Sequence, residues 1–212
     1  WIDAIYERGY VAVDTETTSL NEMTAELVGI SLCVEPGEAC YIPLLHKARG
    51  SDDLFGSDDL AEGQMPIDEA LSMLKPVLED GTITKIGQNI KYDWLVLLRH
   101  GIELAGVVFD TMLASYLLNP SKRAHNLDQI ALDFLGHKTI TYADVTGKGK
   151  LAATFAEVPL EKATPYACED ADITLQAHRV LSGELEEELP GWEIQVGPRE
   201  AVDLPSFLKV MA

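Results

Sequence analysis

Three runs of strand-forming residues, "GYVAVDTE", "ELVGISLCVE" and "ACYIPLL", follow one another before residue 46, separated only by turns at Asn21 and in "EPGE". Consecutive strands joined by short turns pair antiparallel, so the chain is committed to a meander before any major helix. From Pro66 the pattern changes. "PIDEALSMLKPVLED" has apolar residues at helical spacing, with Pro76 expected to kink it or end its regular part. "TITKIGQN" returns as a short strand, and Asn89 stands as a cap for the helix "IKYDWLVLLRHG", which ends at Gly101. A brief strand "GVVF" precedes "DTMLASYLLN", headed by Asp110 as a structural N-cap, and "NLDQIALDFLG" makes a further helix closed by Gly136. A long helix is expected from about Leu160 to Leu189, open to a break near Pro165 or Gly183. This order predicts an α/β fold: a mixed sheet, antiparallel meander plus parallel strands, with helices on its faces.

At 212 residues the chain has room for one sizeable core. Residues 1–189 are expected to form that domain, and residues 190–212, rich in turn residues, a linker or the start of a following segment. A chain that opens at Trp1, without a signal-peptide pattern, is expected to be a piece of a longer polypeptide. No apolar run approaches the roughly 20 residues of a membrane span. Cys33, Cys40 and Cys168 form no C-x-x-C pair, which argues against a disulfide framework or a zinc knuckle and for a reducing, cytoplasmic setting; Cys33 and Cys40 read as core residues. The formal net charge of −19 argues against capture of nucleic acid by long-range attraction. Much of the excess lies in "SDDLFGSDDL" at 51–60 and "ELEEEL" at 184–189, both read as solvated surface.

The first strand carries an anomaly. In "VAVDTETTSL" Asp14 and Glu16 stand where the apolar alternation should continue. Positions two apart on a strand point the same way, so these carboxylates lie side by side and need a raised pKa, hydrogen bonds or a bound cation. On this stretch alone, a polar turn capped by the threonines and Ser19 serves as well. Asp93, in "GQNIKYDWL", falls in the first turn of a helix, where an acid complements the helix dipole. In "YACEDADITL", Tyr166 and Asp170 are four apart and share a helical face, whereas Asp172 lies well round from it. Glu169 and Asp172 read as an exposed acidic turn. Together Asp14, Glu16, Asp93 and Asp170, with Tyr166, describe an all-oxygen site for hard cations, Mg²⁺ or Mn²⁺, rather than zinc. Four carboxylates exceed the need of one such ion. Two ions about 3.5–4 Å apart would use them, the arrangement that stabilises attacking and leaving oxygens in phosphodiester cleavage.

Those residues sit within the blocks "DTETTSL", "GQNIKYD", "FDTMLASYLLNP", "HKTITYADVTGKGK" and "YACEDADITL". In their order and spacing, over most of residues 8–182, the chain resembles the 3′-to-5′ proofreading exonuclease domains of bacterial DNA polymerase I, among the ribonuclease-H-like exonucleases that carry four acids and a tyrosine. The resemblance implies that Asp14, Glu16 and Asp170 hold one metal ion. Asp14 would bridge to a second ion, which Asp93 helps to bind through water. Tyr166 and Glu16 would orient the attacking water; a phenol of ordinary pKa, about 10, is a poor base at neutral pH, so activation is left to the metal. Relatives with a histidine in this role place it five residues before the last Asp, where this chain has Pro165, which indicates the tyrosine subclass. Leu20, Gln88, Asn89, Tyr92 and Tyr142 would contact the terminal nucleotides, Leu20 and Tyr142 by wedging or stacking on bases. "GKGK" at 147–150 would touch phosphates. Arg123 lies one place earlier than the family's arginine, with Ala124 between it and His125.

The implied activity is hydrolysis at the 3′ end of single-stranded or frayed DNA, releasing deoxynucleoside 5′-monophosphates, by a monomer in the bacterial cytoplasm, associated with the nucleoid. A polymerase domain in the same full-length chain would supply most of the duplex affinity that a −19 charge forgoes. Two alternatives stand beside this: an exoribonuclease of the ribonuclease D type, which shares the acids and tyrosine, and a catalytically silent domain that braces a polymerase.

Overall fold

Strand β1 (Tyr10–Thr17) lies at the centre of a five-stranded sheet. It pairs antiparallel with β2 (Leu27–Glu35), which pairs antiparallel with β3 (Glu38–Pro43), giving the expected meander. On its other side β1 pairs parallel with β4 (Thr84–Gly87), and β4 with β5 (Val107–Asp110), so the order is β3-β2-β1-β4-β5. This computed structural model describes residues 1–48, 59–149, 152–188, 193–195 and 201–203. The near-duplication at 51–60 falls largely outside the described residues, as do Lys150 of "GKGK" and most of the tail. Within the tail, β6 (Glu193–Gln195) and β7 (Ala201–Asp203) pair antiparallel with each other.

The alternation of β1 sorts the core into two faces. Val11 and Val13 pack toward the helices α1 (Ile2–Arg8), α2 (Ile67–Leu78) and α3 (Ile90–Arg99). Ala12 instead joins Cys33, Ile86 and Phe109 beneath α4 (Thr111–Leu118) and the C-terminal helix of the sheet domain. That helix, called α7 below, is Leu160–Glu188. Asp14 and Glu16 extend the Ala12 row and therefore face α7, whereas Thr15 extends the Val13 row toward α3. Cys33 is fully buried and Cys40 half-buried against the core, as expected.

The helices differ from expectation where prolines and glycines were read as breaks. α2 continues through Pro76 to Leu78, because the proline sits in the last turn and Val77 and Leu78 behind it are fully buried. α7 runs 29 residues without interruption through Pro165 and Gly183. Pro165 gives up one backbone bond in the second turn, and buried Ala163, Ala167 and Ala171 at four-residue intervals let the helix lie close on the sheet, which carries it through. "NLDQIALDFLG" forms a short α5 (Leu127–Ile130) followed by a π-turn to Leu135, with Gly136 closing it at φ 62°. A short helix α6 (Tyr142–Thr146) escaped the sequence reading, although Thr141 and Asp144 form a capping box at its start.

Asn89 is not a side-chain cap. It heads α3 in the left-handed region at φ 57°, the only non-glycine with positive φ among the described residues, and its side chain makes no capping bond. The buried carboxylate of Asp110 does that work: it accepts from Asn89 N–H and Ile90 N–H at 3.2 and 3.0 Å, and from Met112 N–H and Leu113 N–H of its own helix at 2.8 and 3.2 Å. One acid thus caps α3 and α4 together. Asp110→Ala is expected to lower stability by about 2–4 kcal/mol, two caps lost at once, read as a reduced urea midpoint at unchanged slope.

Candidate active site

At the C-terminal end of β1, Asp14 and Glu16 meet Asp170 of α7, and ligand-capable oxygens of the three lie within 4.8 Å of one another. Among the described residues this is the only such group. Two features of the sequence bring it about. The D-x-E spacing puts both strand acids on the α7 face, and the alanine stripe of α7 brings Asp170 close to them. Tyr166 lies one turn before Asp170 on the same face, close enough for the phenol and the carboxyl to shift each other's protonation.

Asp93 arrives from the opposite face. It is 2% exposed in the first turn of α3, and one of its oxygens accepts from Thr15 N–H at 3.0 Å and Thr15 hydroxyl at 2.6 Å. The side chain that β1 sends toward α3 therefore anchors the fourth acid at the sheet end. This is why Asp93 stands beside the three-acid group rather than within it.

Burial raises all four carboxyl groups. Desolvation alone carries Asp14 to about 6. Glu16 is pushed well up by desolvation and then by the charges of Asp14, Asp170 and Asp93; Asp93 by desolvation and Asp14, against its bonds from Thr15; and Asp170 by desolvation and Asp14, against the opposing effect of the nearby Tyr166 hydroxyl. The Tyr166 phenol is raised too, first by burial and then by Asp170, Glu16 and Asp14, so it is neutral at pH 7. Glu16 Oε1 is buried without a hydrogen-bond partner. An orphaned carboxylate oxygen among like charges, in a group that among the described residues is made of carboxylates alone, suits a hard divalent cation.

The acids open into a cleft of about 470 Å³. Leu20, Asn89, Tyr92, Tyr142, Tyr166 and Ser19 line it together with Asp14, Glu16 and Asp170. Leu20 is 95% exposed and Tyr142 47%. The Tyr92 hydroxyl lies 2.5 Å from both the Thr17 hydroxyl and the Ser19 carbonyl, tying down the turn that presents Leu20. Tyr142 stacks on Phe155 at 6.2 Å, and Phe155 touches Tyr166 at 5.6 Å. The sequence reading missed Phe155; the T-x-x-E box that starts its turn at Thr154 was the available signal.

Gln88 does not line this cleft: its amide nitrogen donates to the His125 carbonyl at 2.8 Å and its oxygen accepts from Thr111. Arg123 and Ala124 are exposed. Glu169 and Asp172 are not a solvated turn. Glu169 accepts from Ile140 N–H at 2.6 Å and pairs with His137 at 2.8 Å, and Asp172 accepts from Gly37 N–H at 2.8 Å, so both fasten α7 to neighbouring segments.

Residues 1–187 match a family model described as 3′-5′ exonuclease. The chain belongs to the 3′-5′ exonuclease family. The DNA polymerase I of Rhizobium leguminosarum is 46% identical over 194 residues, covering 87% of this chain and 19% of that protein. The DNA polymerase I of Pseudomonas aeruginosa is 43% identical over 188 residues, covering 88% and 20%. The chain thus spans about a fifth of the length of these relatives. In fold it is similar to Escherichia coli RNase D, an exoribonuclease involved in structured RNA processing, at TM-score 0.62 and 20% identity, covering 89% of this chain and 43% of that one. The sheet is accordingly of the ribonuclease-H-like kind. Exonucleases of this family are hydrolytic and metal-dependent, and among the described residues the three-acid group is the cluster that could hold a metal ion.

The raised carboxyl groups set a pH dependence. A folded pKa above the unfolded one favours the protonated fold, so the metal-free protein loses stability as pH rises from about 4 through about 6, by about 3 kcal/mol for Asp14 alone. Mg²⁺ or Mn²⁺ should therefore raise the melting temperature at pH 7.5 and have little effect at pH 4.5. Equal shifts at both pH values would contradict this account of the cluster.

Proposed function

We propose that this domain is the proofreading exonuclease of a DNA polymerase I, removing nucleotides from the 3′ end of single-stranded or frayed DNA and releasing deoxynucleoside 5′-monophosphates. The observation that carries the reading is the convergence of Asp14, Glu16, Asp170 and Tyr166 on one cleft whose rim presents Leu20 and Tyr142. Asp14, Glu16 and Asp170 would hold one divalent cation, and Asp14 with Asp93 a second, Mg²⁺ or Mn²⁺. Such ions neutralise the acids and make water a competent nucleophile at neutral pH.

The chain's own residues do the rest. Tyr166, neutral and beside Asp170, positions the attacking water instead of deprotonating it. Glu16, with a free oxygen, accepts a hydrogen bond from that water and so aims its lone pair at phosphorus. Leu20 wedges beside the terminal base and Tyr142 offers a flat face for stacking, contacts that suit sequence-independent binding. Asn89 and Tyr92 line the path to the acids; Gln88 would have to exchange its bonds to His125 and Thr111 to reach a nucleotide. A polymerase domain in the same chain is the partner, in a monomer working in the bacterial cytoplasm at the nucleoid.

Digestion of a 3′-tailed DNA strand and its RNA equivalent, with Mg²⁺, Mn²⁺ or EDTA, tests the reading. Metal-dependent stepwise shortening of DNA in preference to RNA is expected; preference for RNA would move the assignment to the ribonuclease D type, and no cleavage with any metal to a silent brace. Asp170→Ala should lower kcat by about 10³-fold or more with an unchanged circular dichroism spectrum. Tyr166→Phe should cost about 10-fold to 100-fold in kcat with little change in KM.

A further inference from the structure

Beneath the acids lies a buried pair to which the roles above give no part. Tyr41 of β3 and His46, just past the strand, are 9% and 1% exposed. His46 Nδ1 lies 2.9 Å from the Val158 carbonyl, and Nε2 lies 2.7 Å from the Tyr41 hydroxyl. A carbonyl only accepts, so Nδ1 carries the proton, Nε2 is the acceptor, and the phenolic proton of Tyr41 points at His46. Burial lowers the His46 pKa and keeps the ring neutral. Gln64 clamps the backbone of His46, accepting from its N–H at 2.7 Å and donating to its carbonyl at 2.8 Å.

Gly29 decides where the phenol stands. It is the register partner of Glu16 across β1 and β2, and a Cβ at Gly29 would lie 2.2 Å from the Tyr41 hydroxyl. Directly opposed residues of an antiparallel pair project to one face with Cβ atoms about 4.5–5.5 Å apart. The Tyr41 ring therefore fills the slot in which a side chain opposite Glu16 would stand. Burial, and after it the charges of Glu16 and Asp14, raises the phenol's pKa. Even so, Glu16 Oε1 receives no hydrogen bond. The hydroxyl beside the acid gives its proton elsewhere. On its other side the His46 ring packs on Phe155 at 5.6 Å, and Phe155 in turn touches Tyr166 at 5.6 Å, so one imidazole braces the neighbours of both Glu16 and Tyr166.

We propose that Tyr41 and His46 are positioning residues for hydrolysis: the Tyr41 ring fixes the Glu16 side chain from the β2 side, and His46, by holding the phenolic proton, leaves Glu16 an open acceptor for cation and water. The inference rests on Glu16 acting as proposed above. It makes a prediction of unusual sign. Losing the acceptor on His46 frees the phenolic proton to bond Glu16 and is harmful, whereas removing the hydroxyl as well is restorative.

The test is a mutant cycle in the whole domain, read by kcat and KM on single-stranded DNA and, without DNA, by Mn²⁺ affinity from titration calorimetry. His46→Phe should lower kcat and Mn²⁺ affinity by about tenfold, with KM little changed. Tyr41→Phe, which keeps the ring, should stay within about threefold of the parent, and His46→Gln, which can still donate and accept, should behave likewise. The double variant Tyr41→Phe/His46→Phe should recover both readouts toward Tyr41→Phe. A double variant as impaired as His46→Phe or worse, or a Tyr41→Phe as impaired as His46→Phe, overturns the proposal. Should His46→Phe lose its fold, ¹⁵N spectra of the parent decide: a protonated Nδ1 with bare Nε2 supports the pair, and a protonated Nε2 overturns it. Glu16→Gln run in parallel separates the two levels. If it keeps parental rate and Mn²⁺ affinity, the role of Glu16 and the pair fall together; if it loses them while the cycle shows no recovery, the pair alone falls.

Discussion

Four carboxyl groups held out of water at one end of a sheet repel one another, and the rest of the architecture is arranged to make that repulsion tolerable. A fold that only sought stability would not bury them together, since desolvation and like charge act in the same direction on each. The central position of β1 supplies rigidity on both sides of Asp14 and Glu16, and the close seat of α7 fixes Asp170 opposite them. The strain is concentrated where a cation would relieve it. Perturbed groups gathered beside a cleft single it out as the candidate functional site.

Acids elsewhere in the chain show the contrast. Asp110 is as deeply buried as Asp93, yet four backbone N–H groups surround it, and it serves as a two-helix cap. Glu169 and Asp172, one residue before and two after Asp170, each have N–H partners from other segments. Asp93 is intermediate, with one oxygen given to Thr15. Glu16 is the extreme case, an oxygen left unmet. Residue type alone does not separate these roles; the supply of donors does.

Much of this was legible in the sequence because it follows from periodicity. The period of two on β1 put Asp14 and Glu16 on one face, the four-residue spacing put Tyr166 with Asp170, and the order of strand-like and helix-like runs gave the mixed sheet. What was not legible depends on long-range packing. Pro76 and Pro165 look like breaks in isolation but lie beside residues buried against the core, Val77 and Leu78 in one helix and Ala163 and Ala167 in the other. Asn89 looks like a cap, but the bonds to α3 come from Asp110, twenty-one residues on, which local reading assigned to α4 alone. Gln88 carries a promising side chain that its neighbours have already engaged. The Tyr41–His46 pair has no signature spacing at all, since its meaning comes from a missing Cβ at Gly29 on another strand.

The bonds from Tyr92 to Thr17 and Ser19 have a consequence for association. A turn tied at both its hydroxyl and its carbonyl has already given up its conformational entropy in the free protein. Leu20, exposed at the end of that turn, stands on backbone that is already fixed on the rim of the cleft. Filling the cleft therefore asks little further ordering of this turn, and the ordering cost of any complex formed there falls on whatever enters.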